Sequence, residues 1–135
     1  MTMADVLRFS VPGKPEYVQT VRMAVSCFAS CAGFDVEAVE DIKVALSEVC
    51  NSMICPGESN PGIYEVACEL DAGKLIISVE DRGEQGDPKI YRESCGGFSE
   101  NVGLGLYILR TLMDEVNILS SSRVGTRITM VKYNR

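Results

Sequence analysis

Along the first third of the chain the apolar positions change period. Leu7, Phe9 and Val11 alternate with Arg8 and Ser10, the two-residue repeat of a half-buried strand, and Pro12, Gly13 and Pro15 then break it. Beyond Pro15, the residues Tyr17, Val18, Val21, Val25, Phe28 and Ala29 recur at three- and four-residue intervals. That spacing predicts a helix starting near Pro15 and stopping at Gly33. Asp35 stands where a second helix needs its N-cap. After it Val39, Ile42, Ala45, Leu46, Val49 and Met53 form one apolar stripe, ended by Pro56-Gly57.

Two strand-like runs follow, IYEVACEL and KLIISVED, joined by Asp71-Ala72-Gly73, which reads as a hairpin turn. The polar span from Arg82 to Val102 has no period and is long for a connection in a small domain; loops of that length are usually functional or mobile. Periodicity returns in LGLYILRTLMDEV (104–116), a predicted helix with Leu106, Ile108, Leu109, Leu112, Met113 and Val116 apolar. NILSSS and TRITMVKY then read as two closing strands. The expected order is β, α, α, β, β, long loop, α, β, β, in a single domain spanning residues 1–135.

Composition narrows the class. With 135 residues, 46% hydrophobic and 24% charged, the chain has the make-up of one soluble globular domain, and its apolar runs are too short to span a membrane. MTMADVLRFS has an early acidic residue and no apolar secretory core, so a cytoplasmic location is expected. A net charge of -6 argues against a nucleic-acid backbone as partner, because such binding rests on clustered Lys and Arg. The six cysteines (27, 31, 50, 55, 68 and 95) include no Cys-x-x-Cys pair and are expected as reduced, mostly buried thiols. The absence of histidine removes imidazole acid-base catalysis, Ser-His triads and imidazole metal sites. Chemistry has to run on carboxylates, hydroxyls, amides and backbone.

Three stretches have the right groups. ALSEVCNSMI (45–54) puts Glu48, Asn51 and Ser52 near the end of the second helix: a carboxylate suited to deprotonating a hydroxyl, and oxygens suited to Mg²⁺. A solvated helix face offers the same residues. VEDRGEQGD (79–87) ends a strand in Asp81 with Gly83 two residues on; such a carboxylate accepts a hydrogen bond from an exocyclic amine such as that of adenine, and the same pair suits an ordinary turn. NVGLGLYIL (101–109) sets Gly103, Leu104 and Gly105 just before a helix, where free N–H groups favour a phosphate, or simply punctuate its start. Gly125-Thr126 between the last strands adds a hydroxyl.

In this order the stretches resemble the N, G1 and G2 boxes and the terminal Gly-Thr of the GHKL ATPase superfamily. Within it, EDIKVALSEVC, VEDRGE and GLGLYILRTLMDEV are similar to bacterial anti-sigma factors that are also serine-protein kinases, of the anti-sigma-B type with the sporulation type close behind. The resemblance covers nearly the whole chain. It implies an α/β fold, a two-layer sandwich whose mixed, mainly antiparallel sheet carries helices on one face. It also implies ATP or ADP with Mg²⁺, and a partner-switching cycle in stress response or sporulation. In that cycle the protein holds a sigma factor or phosphorylates a serine on a small STAS-type anti-anti-sigma protein. A homodimer is implied as well, with no membrane and no direct nucleic-acid contact.

Residue by residue, Glu48 matches the family's catalytic base, Asp81 its adenine-reading aspartate, Gly83 the adjacent glycine, and Gly103, Leu104 and Gly105 the phosphate loop. Thr126 matches the threonine near the base, and residues 84–102 the ATP lid. The family's magnesium-binding asparagine follows the glutamate by four positions; here Ser52 stands there, with Asn51 one residue earlier. On an ideal helix Ser52 lies about 40° to one side of Glu48 and Asn51 about 60° to the other. The second glycine of the G1 box is displaced to Gly86, and Lys89 and Arg92 are the lid's cations. The competing reading is a switch module that binds nucleotide weakly or not at all and acts by holding its partners.

Overall fold

A computed structural model of the chain describes residues 4–54, 62–81, 97–121 and 125–134. Strand β1 (Asp5–Pro12) leads through a 3₁₀ turn at Pro15–Tyr17 into α1 (Val18–Cys31) and α2 (Val36–Ser52). The hairpin β2 (Ile63–Asp71) and β3 (Lys74–Asp81) follows, then α3 (Gly97–Leu112), β4 (Glu115–Ser121) and β5 (Gly125–Tyr133). The strands form one sheet in the order β1-β2-β3-β5-β4. All four pairings are antiparallel, in line with the mainly antiparallel sheet expected, and no parallel pair is present among the described strands. The reason lies in the last connection: α3 and β4 return the chain so that β5 enters beside β3 running against it.

The local signals act as their chemistry requires. Asp35 Oδ1 accepts a hydrogen bond from the Ala38 amide at 2.9 Å, capping α2. Gly33, at φ +96°, ends the chain's first helical segment in the left-handed region that a side chain resists. Ala72 and Gly73 (φ 51° and 80°) make a two-residue turn with both central residues left-handed, and Asp71 pairs with Lys74 across it.

One face of the sheet is apolar and is covered by the helices. Val66, Cys68, Leu75, Ile77, Val79, Ile128 and Met130 point inward. Val21, Val25 and Ala29 of α1, Ile42, Leu46 and Val49 of α2, and Leu109 and Met113 near the end of α3 pack onto them. The cysteine expectation holds for half of the described thiols: Cys50 and Cys68 are buried, Cys27 and Cys31 are exposed on α1, and Cys55 and Cys95 lie outside the described residues.

The third helix departs from the sequence pattern at both ends. It begins at Gly97, so residues 97–102, expected as the end of a loop, form its first turns. Glycine costs about 1 kcal/mol relative to alanine in a helix, too little to stop one whose later turns are anchored in the core by Leu109 and Met113. It ends at Leu112 because the following residues are captured by β5. The Asp114 amide donates to the Val131 carbonyl at 2.9 Å, and the Tyr133 amide donates to Asp114 Oδ2 at 2.7 Å. Val116, read as helical, is a strand residue opposite Met130. Lys132 ties the same end together, bonding the Leu112 carbonyl and reaching Asp41 Oδ2 on α2 at 3.3 Å.

Candidate functional site

The inward face of the sheet is apolar over most of its length and turns polar at one end. There Tyr64, Asp81 and Thr126 stand side by side on β2, β3 and β5: the register pairs Tyr64 with Asp81 and Asp81 with Thr126. All three are buried, at 1%, 7% and 2% exposure. A ligand amine that docks there meets an acceptor shielded from bulk water.

The C-terminal part of α2 lies at this same end, because its last turn leads toward the start of β2, which pairs with the end of β3. The Tyr64 hydroxyl lies beside the Cys50 thiol, so helix and sheet meet here. Burial pushes the Cys50 thiol up to about 11, and burial together with the neighbouring Cys50 pushes the Tyr64 phenol well above its ordinary value. Both are neutral at physiological pH.

Glu48 is half-buried on α2, two residues before Cys50. A Cβ at Gly105 would stand 3.7 Å from Glu48 Oε1, so the carboxylate rests against the glycine side of α3. Glu48 and Gly105 are thus brought together, as are Asp81 and Thr126. Leu104 is exposed at 68% and points away from the core.

One expectation needs correction. Gly103 and Gly105 were read as preceding a helix, with amides free for a phosphate. They lie inside α3, where each amide serves the helix's own ladder and is not free for a phosphate in this conformation. Beside Glu48, helix α2 runs without interruption through Ser52. Asn51 is exposed, and Ser52 is half-buried with its hydroxyl donating to the Val49 carbonyl at 2.6 Å. Gly83, Lys89, Arg92 and residues 84–96 of the expected lid lie outside the described residues. Among the described residues no cluster of three or more carboxylate, thiol or imidazole groups could hold a metal ion on its own.

Tyr64, beside Asp81 at this end of the sheet, is a residue that sequence reasoning did not single out. Its signal was present: the alternation of β2 puts it on the apolar face with Val66 and Cys68, where a phenol is an unusual choice, and directly opposite Asp81.

Comparison with known proteins is decisive. Residues 11–132 match the model of the histidine kinase-like ATPase domain. The chain is 32% identical over 142 residues to the serine-protein kinase RsbW of Bacillus velezensis, covering 98% of this chain and 88% of that one. It is 34% identical over 143 residues to RsbW of Listeria innocua, with 98% and 89% covered. The chain is a histidine kinase-like ATPase domain of the RsbW family. Among solved structures, the RsbU and RsbW domains of Rv1364c from Mycobacterium tuberculosis superpose with a TM-score of 0.71 at 22% identity. That match covers 96% of this chain and 32% of the longer one, and shows that the RsbW family fold is kept.

Proposed function

We propose that this chain is a partner-switching anti-sigma factor, a protein serine kinase that uses ATP to phosphorylate a serine on a small STAS-type anti-anti-sigma protein. In the unphosphorylated state that protein frees the sigma factor; phosphorylated, it leaves the sigma factor held. A sigma factor works at the bacterial transcription machinery, which places the cycle in the cytoplasm, and a homodimer is part of the same proposal. The observation that carries the reading is the convergence of Glu48 with Gly105 and of Asp81 with Thr126 at one end of one sheet.

Each residue then has a task. Asp81 accepts a hydrogen bond from the exocyclic amine of adenine, and Thr126 stands next to it. Glu48 takes the proton from the partner serine as its hydroxyl oxygen attacks the γ-phosphorus and the ADP oxygen leaves. The oxygens present fit Mg²⁺, which takes one or two protein ligands and completes its shell with phosphate and water. The Ser52 hydroxyl commits its proton to Val49 and keeps lone pairs for a cation, and Asn51 offers an exposed amide oxygen. When bound, Mg²⁺ would offset the negative charge of the phosphates. The amides of Gly103 to Gly105 reach a phosphate only after the first turns of α3 open, and three glycines at 97, 103 and 105 make that opening cheap.

A second reading, a switch module that binds nucleotide weakly and acts by holding its partners, is favoured by the tied Ser52 hydroxyl and the closed helix around Gly103. Calorimetry separates the two. The kinase reading expects Mg-ATP to bind in roughly the micromolar range common for enzyme substrates and Asp81→Asn to abolish it. No heat and no thermal shift with Mg-ATP would leave only the switch module.

A further inference from the structure

Tyr64 is 1% exposed, and among the described residues its hydroxyl has no hydrogen-bond partner. The Cys50 thiol beside it is a poor substitute, since sulfur is a weak donor and acceptor. A buried hydroxyl left without a partner is costly, and proteins seldom keep one without a use. If the position served packing alone, phenylalanine would fill the same volume with no such cost.

The register supplies the use. Tyr64 faces Asp81 directly across β2 and β3, with Thr126 on the far side of the aspartate. Side chains directly opposite in an antiparallel pair are close enough to serve one ligand. A carboxylate only accepts, whereas the edge of adenine offers a donating amine and, beside it, an accepting ring nitrogen. Asp81 answers the first and cannot answer the second. A phenol held neutral by burial donates, and it stands next to the carboxylate.

We infer that Tyr64 is a specificity-determining residue of the base pocket, its hydroxyl donating to the ring nitrogen next to the adenine amine, directly or through one trapped water. The inference rests on the assignment of Asp81 to the base. The pair selects adenine over guanine, which presents a carbonyl oxygen where adenine has the amine and an N–H where adenine has the acceptor. Guanine would set acceptor against acceptor at Asp81, and at Tyr64 its N–H would require the hydroxyl to accept where with adenine it donates.

The test compares the full-length wild type with Tyr64→Phe and Asp81→Asn, using calorimetry with Mg-ATP and Mg-GTP and thermal denaturation without nucleotide. Tyr64→Phe is expected to keep or slightly raise the nucleotide-free melting temperature, because it removes an unpartnered hydroxyl. It is expected to bind ATP about 3- to 10-fold more weakly, the worth of one hydrogen bond, and to narrow the ATP-to-GTP preference by a similar factor. A lower melting temperature with an unchanged ATP-to-GTP ratio would make the hydroxyl structural and overturn the inference. Wild-type ATP affinity in Tyr64→Phe, with affinity lost in Asp81→Asn, would overturn the inference and leave the base assignment standing. Unimpaired ATP binding by Asp81→Asn, or no binding by the wild type, would overturn both.

Discussion

Replacing Gly105 by alanine should move stability and nucleotide affinity in opposite directions. Gly105 lies inside α3 with no positive φ, and among the described residues the new methyl would meet only Glu48 Oε1, at an ordinary contact distance of 3.7 Å. No clash offsets the helix preference of alanine, about 1 kcal/mol over glycine. For a domain of this size that is a rise of roughly 3–5 °C in melting temperature. In the proposed function, phosphate binding needs these amides released from the helical ladder, so the same free energy opposes binding. One kilocalorie per mole corresponds to about 5-fold weaker affinity for Mg-ATP. Thermal denaturation without nucleotide and calorimetry with a non-hydrolysable ATP analogue read the two effects on the same samples. A stabilised variant that binds the analogue as the wild type does would refute the idea that α3 opens for the phosphates. A destabilised variant would refute the helical placement of Gly105.

The other predictions follow from the same geometry. Glu48→Gln should retain nucleotide binding and lose phosphoryl transfer by a factor on the order of 10² to 10⁴, read from single-turnover phosphorylation of the partner. Ser52→Asn should tighten Mg-ATP binding, since an amide oxygen would replace a hydroxyl tied to Val49; unchanged affinity would remove position 52 from the metal site. Stability should depend on alkaline pH through the buried thiols. Cys50 and Cys68 are raised from 9.0 to about 11 and about 12 by burial, so the unfolded chain releases their protons first. The thiols' contribution is fully present below pH 9 and declines above it, by about 1.4 kcal/mol per pH unit for each thiol that titrates only in the unfolded state. Denaturant titrations between pH 8 and 11 should show this loss, and Cys50→Ala should reduce the slope. Mapped alkylation of the native protein should modify Cys27 and Cys31 and spare Cys50 and Cys68.

What could be read from the sequence was what local physics decides. The two-residue alternation around Val66 and Ile77, the stripe on α2, the Asp35 cap and the Ala72-Gly73 turn each depend on a few neighbouring residues, and each is where the pattern put it. Failures came where tertiary contacts outweighed local preference. Asp114 and Val116 continue a helical period, but their bonds to β5 draw them out of the helix. Gly103 and Gly105 look like helix openers, yet a core-anchored helix runs back through them. For the site, the candidate residues were legible because each is a chemically suggestive type at a recognisable place. The juxtaposition of Glu48 with Gly105 was not, since it depends on how α2 packs against α3. Tyr64 escaped because its significance lies in its cross-strand neighbour, which only the register reveals.

Transfer of phosphate to a partner serine is the measurement closest to the central claim. The purified chain is incubated with γ-labelled Mg-ATP and a STAS-type anti-anti-sigma protein recovered with it from its own bacterium, and the products are mapped by mass spectrometry. Phosphate on one serine of the partner, present with the wild type and absent with Glu48→Gln, is the predicted result. A partner that binds stably and stays unphosphorylated with the wild-type protein, at saturating Mg-ATP, would contradict it.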